Sequence, residues 1–178
     1  FHNPGTGELK ERSHGDGILV GLDSAEALEE VFFQAITGRG YVKEDGLHAH
    51  DIDDAQHAAY LDYQGIALAS AERPGAMYIA KNNNALLRYP AMRRLNREFH
   101  AVVMFREPLS HASSLLAMHR KYCAMQADDP FVLEYMDWLA HHEFGLGHKP
   151  FHFPSTQSMP AGDPTTLDHW LQLWINHY

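Results

Sequence analysis

Apolar residues recur at helical spacing in six stretches of the chain, and each stretch predicts an amphipathic helix. The helices are expected at about residues 24–36, 52–71, 85–97, 108–125, 130–144 and from 164 onward. The first predicts an inward stripe of Leu28, Val31, Phe32, Ala35 and Ile36, the fifth one of Phe131, Tyr135, Leu139 and His142, and the last one of Leu167, Trp170, Leu171 and Trp174.

Capping residues mark several of these boundaries. Asp23 and Glu26 have the spacing of a capping box before the first helix. Pro108 suits the first turn of the fourth helix, and Asp129 is a good N-cap before the fifth, with Gly145 expected past its end. Asp163 followed by proline predicts a similar start for the last helix. The third helix is expected to break near Tyr89, because a following proline disfavours helical geometry.

Three short apolar runs predict strands: "ILVGL" at 18–22, "MYIA" at 77–80 and "AVVMF" at 101–105. The last is apolar at every position, which suits a parallel strand covered on both faces. A helix between the second and third runs makes a right-handed crossover, so these two strands should be parallel. The pattern predicts one α/β domain over residues 1–178.

Two cations follow these parallel runs. Lys81 comes directly after the run at 77–80, and Arg106 directly after the run at 101–105. The carboxyl ends of parallel strands meet at one sheet edge, where open α/β sheets bind ligands. The helix after Arg106 offers free N–H groups, and Ser110 and Ser114 lie one turn apart on one face of it. We therefore expect an anion-binding site at this edge.

Composition narrows the class of protein. The 178 residues are 45% hydrophobic with a net charge of −9, which argues against general nucleic-acid binding. No apolar run approaches the ~20 residues that span a bilayer, so no membrane association is expected. Cys123 is the only cysteine, which suits a reducing compartment and predicts a cytoplasmic protein.

The anion-site residues resemble the core of the sulfotransferases that use 3′-phosphoadenosine 5′-phosphosulfate (PAPS). Arg106-Glu107-Pro108 is similar to the Arg-Asp-Pro element of that family, and Ser114 stands at the matching eight-residue spacing. "YIAKNNNALLRYPAMRRL" and "GELKERSHGDGILVGLDSAEALEEVFF" resemble segments of bacterial members.

The resemblance implies a three-layer, P-loop NTPase-like parallel sheet flanked by helices. It implies sulfuryl transfer from PAPS to a hydroxyl or amine of a small-molecule or carbohydrate acceptor. Arg106 and Ser114, with Ser110 nearby, would bind the 3′-phosphate, and Lys81 would contact the sulfuryl group.

Two family features are missing from the sequence. The glycine-rich phosphate loop is not found, since "PGTGELK" at 4–10 lacks the G-x-x-x-x-G-K-[ST] spacing and follows no strand. We expect that loop upstream of Phe1, so that the fold is incomplete at both ends of these residues. Asn83 stands where cytosolic members have a basic histidine. His14, with Asp16 to orient its ring, is the candidate base.

Two other classes of function stay open. The histidine-rich stretches "HAHD" (48–51) and "HHEFGLGHKPFHF" (141–153) contain potential zinc ligands. Neither has the H-E-x-x-H spacing, and one cysteine cannot build a thiolate cluster, so no metal is expected. A non-catalytic remnant or interaction module of the same fold is the other alternative.

Overall fold

The computed structural model describes residues 9–11, 17, 19–20, 29–70, 74–155 and 162–178. Within these ranges there are six helices and four two-residue strands. In chain order the elements are β1 (Lys10–Glu11), β2 (Leu19–Val20), α1 (Glu29–Thr37), β3 (Leu47–His48), α2 (Asp54–Ala69), α3 (Ala85–Leu95), α4 (Pro108–Asp128), α5 (Pro130–Trp138), β4 (Phe151–His152) and α6 (Leu167–His177).

The helix positions expected from periodicity are confirmed for the described residues. Pro108 occupies the first turn of α4, and the Asp129 carboxylate caps α5 by accepting from the Phe131 N–H at 3.0 Å. The capping box at Asp23 and Glu26 lies outside the described residues. The predicted start of the last helix is wrong: α6 begins at Leu167 with Thr166 as its N-cap, and Asp163 accepts from the Thr165 N–H in the turn before the helix.

Two further predicted boundaries are wrong. Helix α3 runs through Pro90 without a break at Tyr89. The proline removes one hydrogen bond of the helix, but buried Leu87 and Ala91 on either side of it pack the segment into the core. Helix α5 ends at Trp138, because Ala140 adopts a positive φ of 53°, and Gly145 lies further along the following loop.

The predicted inward faces of α1 and α5 are correct only in part: Phe32 and Ile36 pack against the first core cluster and His142 is buried, as predicted. In α1 the buried residues are Glu29, Glu30, Phe33 and Gln34, while Val31 is exposed. In α5 Met136 is buried, whereas Phe131 and Tyr135 are exposed. Helix α6 follows its prediction more closely, since Trp170 and Leu173 are buried and Leu167 and Leu171 pack beside them.

The apolar runs at 77–80 and 101–105 are not strands in this structure. Both are described, but neither pairs with another segment, and Ile79 and Val102 are 83% and 84% exposed. A strand needs a second backbone to satisfy its N–H and C=O groups, and no described segment supplies one. The run at 18–22 is confirmed only at Leu19–Val20, which pairs antiparallel with β1.

The described part of the chain is mostly helical, and its single parallel pair is β3 with β4. The α/β class holds in this loose sense, and a three-layer parallel sheet is not observed. The buried apolar side chains form three clusters: one around Phe33 and Tyr60, one around Tyr41 and Leu87, and one around Trp170. Among the described helices none is long and apolar enough to cross a membrane.

Candidate anion-binding site

The start of α4 carries the predicted anion ligands. Arg106 is exposed and makes no ion pair or hydrogen bond with any described residue. Ser114 is half-buried two turns into the helix, on the same face as Ser110. The local sequence explains this geometry, because Pro108 fixes the first helical residue and leaves Arg106 on the extended segment before it.

Glu107 changes the expected role of this helix start. Its carboxylate accepts from the N–H groups of Leu109 and Ser110 at 3.0 and 2.6 Å, and from the Ser110 hydroxyl. The Ser110 bonds lower the pKa of Glu107, which therefore stays ionised at neutral pH. The free N–H groups and the Ser110 hydroxyl that were expected to face an anion are thus occupied by a side chain. Arg106 and Ser114 remain available.

Two buried nitrogens near the start of α4 have no hydrogen-bond partner among the described residues. The Trp174 ring packs edge-on against Phe105 at 5.4 Å, and its Nε1 has no hydrogen-bond partner. His111, one turn into α4, has an orphaned Nδ1; burial, and next the charge of Arg106, lower the pKa of this histidine. Five further buried side-chain atoms in the described ranges also lack a hydrogen-bond partner, so these two atoms do not by themselves mark a ligand position.

Lys81 is exposed and begins a polar segment whose three asparagines make long-range contacts. The Asn82 amide donates to Glu29 at 3.0 Å and to Glu30 at 2.8 Å. Asn83 donates to Glu143 at 2.7 Å, and Asn84 to the Ala140 carbonyl at 3.1 Å. The segment 82–84 is therefore held by α1 on one side and by residues 140–143 on the other. These contacts position the backbone of the adjacent Lys81.

A buried ionic network lies under that segment. Arg88, on α3, donates to both carboxylate oxygens of Glu30 at 2.8 and 2.5 Å. Tyr41 also donates to Glu30. Burial alone would raise the pKa of Glu30, but the hydrogen bonds and charge of Arg88 outweigh it, so this pKa is lowered. A bidentate, hydrogen-bonded pair is the arrangement in which a buried charge is tolerated.

The neighbouring carboxylate, Glu29, is held by neutral donors. It accepts from the hydroxyls of Tyr60 and Tyr78, each at 2.7 Å, and from Asn82. Next to this carboxylate, burial raises the pKa of Tyr60 and of Tyr78 well above 10, so both hydroxyls keep their protons. Because these bonds use both oxygens of Glu29, we assign it to positioning the segment around Lys81.

The structure does not bring all predicted site residues together. No described contact joins Lys81 to Arg106, because the two runs that precede them do not pair. His14 and Asp16 lie outside the described residues. His119 is buried on α4, where its Nδ1 accepts from the Gly145 N–H at 3.1 Å, so this histidine has a structural bond.

Sequence reasoning missed Glu29, Glu30 and Arg88. The available signal was weak: two adjacent glutamates stand between predicted inward-facing apolar residues, and an arginine follows Leu87 in an otherwise apolar stretch. Comparison of the chain with family models, with curated protein sequences and with solved structures gives no match.

Proposed function

We propose that this chain is part of a PAPS-dependent sulfotransferase that transfers a sulfuryl group to a hydroxyl or amine of a small-molecule or carbohydrate acceptor. In this proposal Arg106 and Ser114 bind the 3′-phosphate of the nucleotide. The observation that carries it is an arginine without a described partner, two residues before a helix that presents a serine eight residues further on.

The surroundings of Arg106 support an anionic ligand. The guanidinium has a planar fork of donors that matches a phosphate, and the side chain is exposed. Because Glu107 already caps α4, the proposal assigns Arg106, and not the helix end, as the main source of positive charge.

Lys81 has the second role in the proposed reaction. Sulfuryl transfer resembles phosphoryl transfer, since charge grows on the leaving oxygen and positioned cations stabilise it. Asn82 holds the adjacent backbone, which limits the freedom of Lys81 without occupying its ammonium group. Asn83 donates to Glu143 and cannot take a proton, so His14, with Asp16 beside it in sequence, stays the proposed base.

The exposed runs at 77–80 and 101–105 fit this proposal. In the proposed enzyme a glycine-rich phosphate loop follows a further strand of the sheet. Two unpaired extended segments, ending at Lys81 and Arg106, offer backbone groups and apolar side chains with which such a strand can pair. The same exposed surface would serve an interaction module, which is the second candidate function.

The proposal is tested by replacing Arg106 with alanine. We expect the intact protein to bind 3′-phosphoadenosine 5′-phosphate, and Arg106→Ala to weaken this binding by about 1.5–3 kcal/mol, which is at least about tenfold in Kd. Adenosine 5′-phosphate lacks the 3′-phosphate, so its affinity should be the same for both proteins. Isothermal titration calorimetry measures all four affinities.

Arg120→Ala is the matched control, because Arg120 is an exposed arginine near the middle of α4, about 20 Å along the chain axis from Arg106, which precedes this helix. Its loss should leave both nucleotide affinities unchanged. An Arg106→Ala variant that loses affinity equally for both nucleotides would contradict the 3′-phosphate assignment. If neither nucleotide binds the unaltered protein, the interaction module is the better description.

A further inference from the structure

The parallel pair β3–β4 brings together two histidines that lie 104 residues apart in the chain. His48 and His152 are register partners across this pair. Their rings stack with centroids 4.4 Å apart and planes 5° from parallel. Asp45, in the turn before β3, lies 3.0 Å from the His48 Nε2 through its Oδ1. Its Oδ2 lies 4.0 Å from the His152 Nε2.

We propose that Asp45, His48 and His152 bind a divalent transition-metal ion, with Zn²⁺ the best match. One donor atom from each residue lies within 4.8 Å of the other two. Around a tetrahedral zinc with bonds of about 2.0–2.1 Å, ligand atoms are separated by roughly 3.3 Å. The donor atoms must therefore close by about 1.5 Å at most, and the two parallel rings must tilt so that their Nε2 lone pairs converge on the ion.

The backbone around the three donors is already fixed. The Leu47 N–H donates to the Pro150 carbonyl at 2.9 Å, and the Ala49 N–H donates to the His152 carbonyl at 2.8 Å. The turn that carries Asp45 is closed by a 2.8 Å bond from the Lys43 N–H to the Gly46 carbonyl. A metal site on such a frame pays little conformational entropy when the ion binds.

Gly46 permits the close approach of this turn to β4. A Cβ added there would lie 2.4 Å from the His152 ring and 2.5 Å from the Pro150 carbonyl oxygen. Any other residue would push the turn away from the strand, and Asp45 with it. The glycine thus keeps the carboxylate next to both imidazoles.

The side chains have the accessibility and chemistry that a metal site needs. Asp45 is 64% exposed, His48 36% and His152 19%, so an ion can enter from solvent and the aspartate can move. Both Nε2 atoms now face Asp45, and neutral imidazole can move its proton to Nδ1 and offer the Nε2 lone pair instead. Two neutral imidazoles and one carboxylate leave a fourth position for water, as in zinc sites with three protein ligands.

A second histidine pair is the main alternative location for a bound metal ion. His148 and His169 have Nε2 atoms 3.3 Å apart, and each Nδ1 is hydrogen-bonded to a backbone carbonyl. Within the described ranges no third histidine, cysteine, aspartate or glutamate comes within 4.8 Å of both atoms. Two donors hold a metal more weakly than three, so the site at Asp45 is the proposed one.

The test is calorimetric titration of the tag-free intact protein with Zn²⁺ at pH 7.5. We expect one tight site per chain. His48→Asn, His152→Asn and Asp45→Asn should each weaken it by at least about tenfold, since even the loss of a residue that only orients a metal ligand costs that much. His100→Asn, which removes an exposed histidine outside the cluster, should leave the affinity unchanged. Binding should weaken sharply at pH 5, where protons compete for the imidazoles.

Cobalt substitution checks the geometry independently. Co²⁺ should give visible absorption bands typical of a four-coordinate site, and these bands should disappear in Asp45→Asn, whose exposed turn position makes misfolding improbable as a cause. Absence of a tight site in the unaltered protein would overturn the proposal. So would an unchanged affinity in His152→Asn, or a site that His169→Asn abolishes while His48→Asn leaves it intact.

Discussion

Replacing Arg88 with methionine should lower the free energy of unfolding by about 3–5 kcal/mol. Arg88 is 1% exposed and forms a bidentate pair with Glu30, which is itself buried. Its guanidinium also lies 3.9 Å from the centre of the Phe33 ring. Methionine fills much of the same volume, so the expected loss comes mainly from the charge left on Glu30 without a counter-ion. Urea unfolding followed by circular dichroism measures it.

Arg94→Met is the matched control for this substitution. Arg94 lies on the same helix and pairs with Asp51 at 2.8 Å, but both side chains are more than half exposed. Solvent screens such a pair, so its loss should cost about 0–1 kcal/mol. Adding Glu30→Gln to Arg88→Met should recover part of the stability, because it removes the uncompensated charge. Equal, small losses in the two arginine variants would contradict the assigned role of Arg88.

Acidification should destabilise the protein between about pH 6.5 and pH 4. Burial is the main cause that lowers the pKa of His148 to about 4, and the neighbouring His169 and His119 lower it further. In the unfolded chain the His148 imidazole is protonated as the pH falls through about 6.5, whereas in the folded chain it stays neutral until about pH 4. The stabilising contribution is therefore complete above pH 6.5 and is lost as the pH falls through this window, by about 3 kcal/mol in total.

His148→Gln isolates this contribution, because glutamine cannot take up the proton. The variant should show a flatter dependence of unfolding free energy on pH between 6.5 and 4.5, a range in which carboxylates contribute little. His100→Gln removes an exposed histidine and should leave the slope unchanged. Chemical unfolding at half-unit pH intervals gives the slopes. If the His148→Gln slope equals that of the unaltered protein, burial of His148 does not control acid stability.

The stability of the Glu30–Arg88 pair and the proposed function are physically connected. Asn82 donates to both Glu29 and Glu30, and Lys81 is its immediate neighbour in the chain. A variant that leaves Glu30 without Arg88 should therefore also loosen the segment that holds Lys81. The Arg106 region lies at the start of α4, which packs mainly on α6 and α5 and contributes to another core cluster. Nucleotide binding at Arg106 can thus be measured separately from effects on Lys81.

Part of the candidate site could be predicted because it depends on neighbours in sequence. The helix that begins at Pro108, the exposed Arg106 before it and the single face shared by Ser110 and Ser114 follow from capping and helical spacing. The hydrogen bonds from Ser110 to Glu107 are equally local. They were not predicted, because Glu107 was considered only as the residue that replaces the aspartate of the Arg-Asp-Pro element. The prediction of a sheet edge at Lys81 and Arg106 is wrong for a different reason. The apolar character of 77–80 and 101–105 indicates a need for burial and does not identify the partner backbone.

What the sequence by itself determined is the set of helices and most of their starting points, since periodicity, proline and capping side chains act over a few residues. Tertiary structure decided that two glutamates of α1 are buried. Glu29 and Glu30 can point inward because side chains from distant segments donate hydrogen bonds to their carboxylates. These donors are Tyr60, Tyr78, Asn82 and Arg88. It also joined one histidine from each of two separate histidine-rich stretches. His48 and His152 become neighbours only when β3 pairs with β4, and no local pattern records a contact made across a hundred residues of chain.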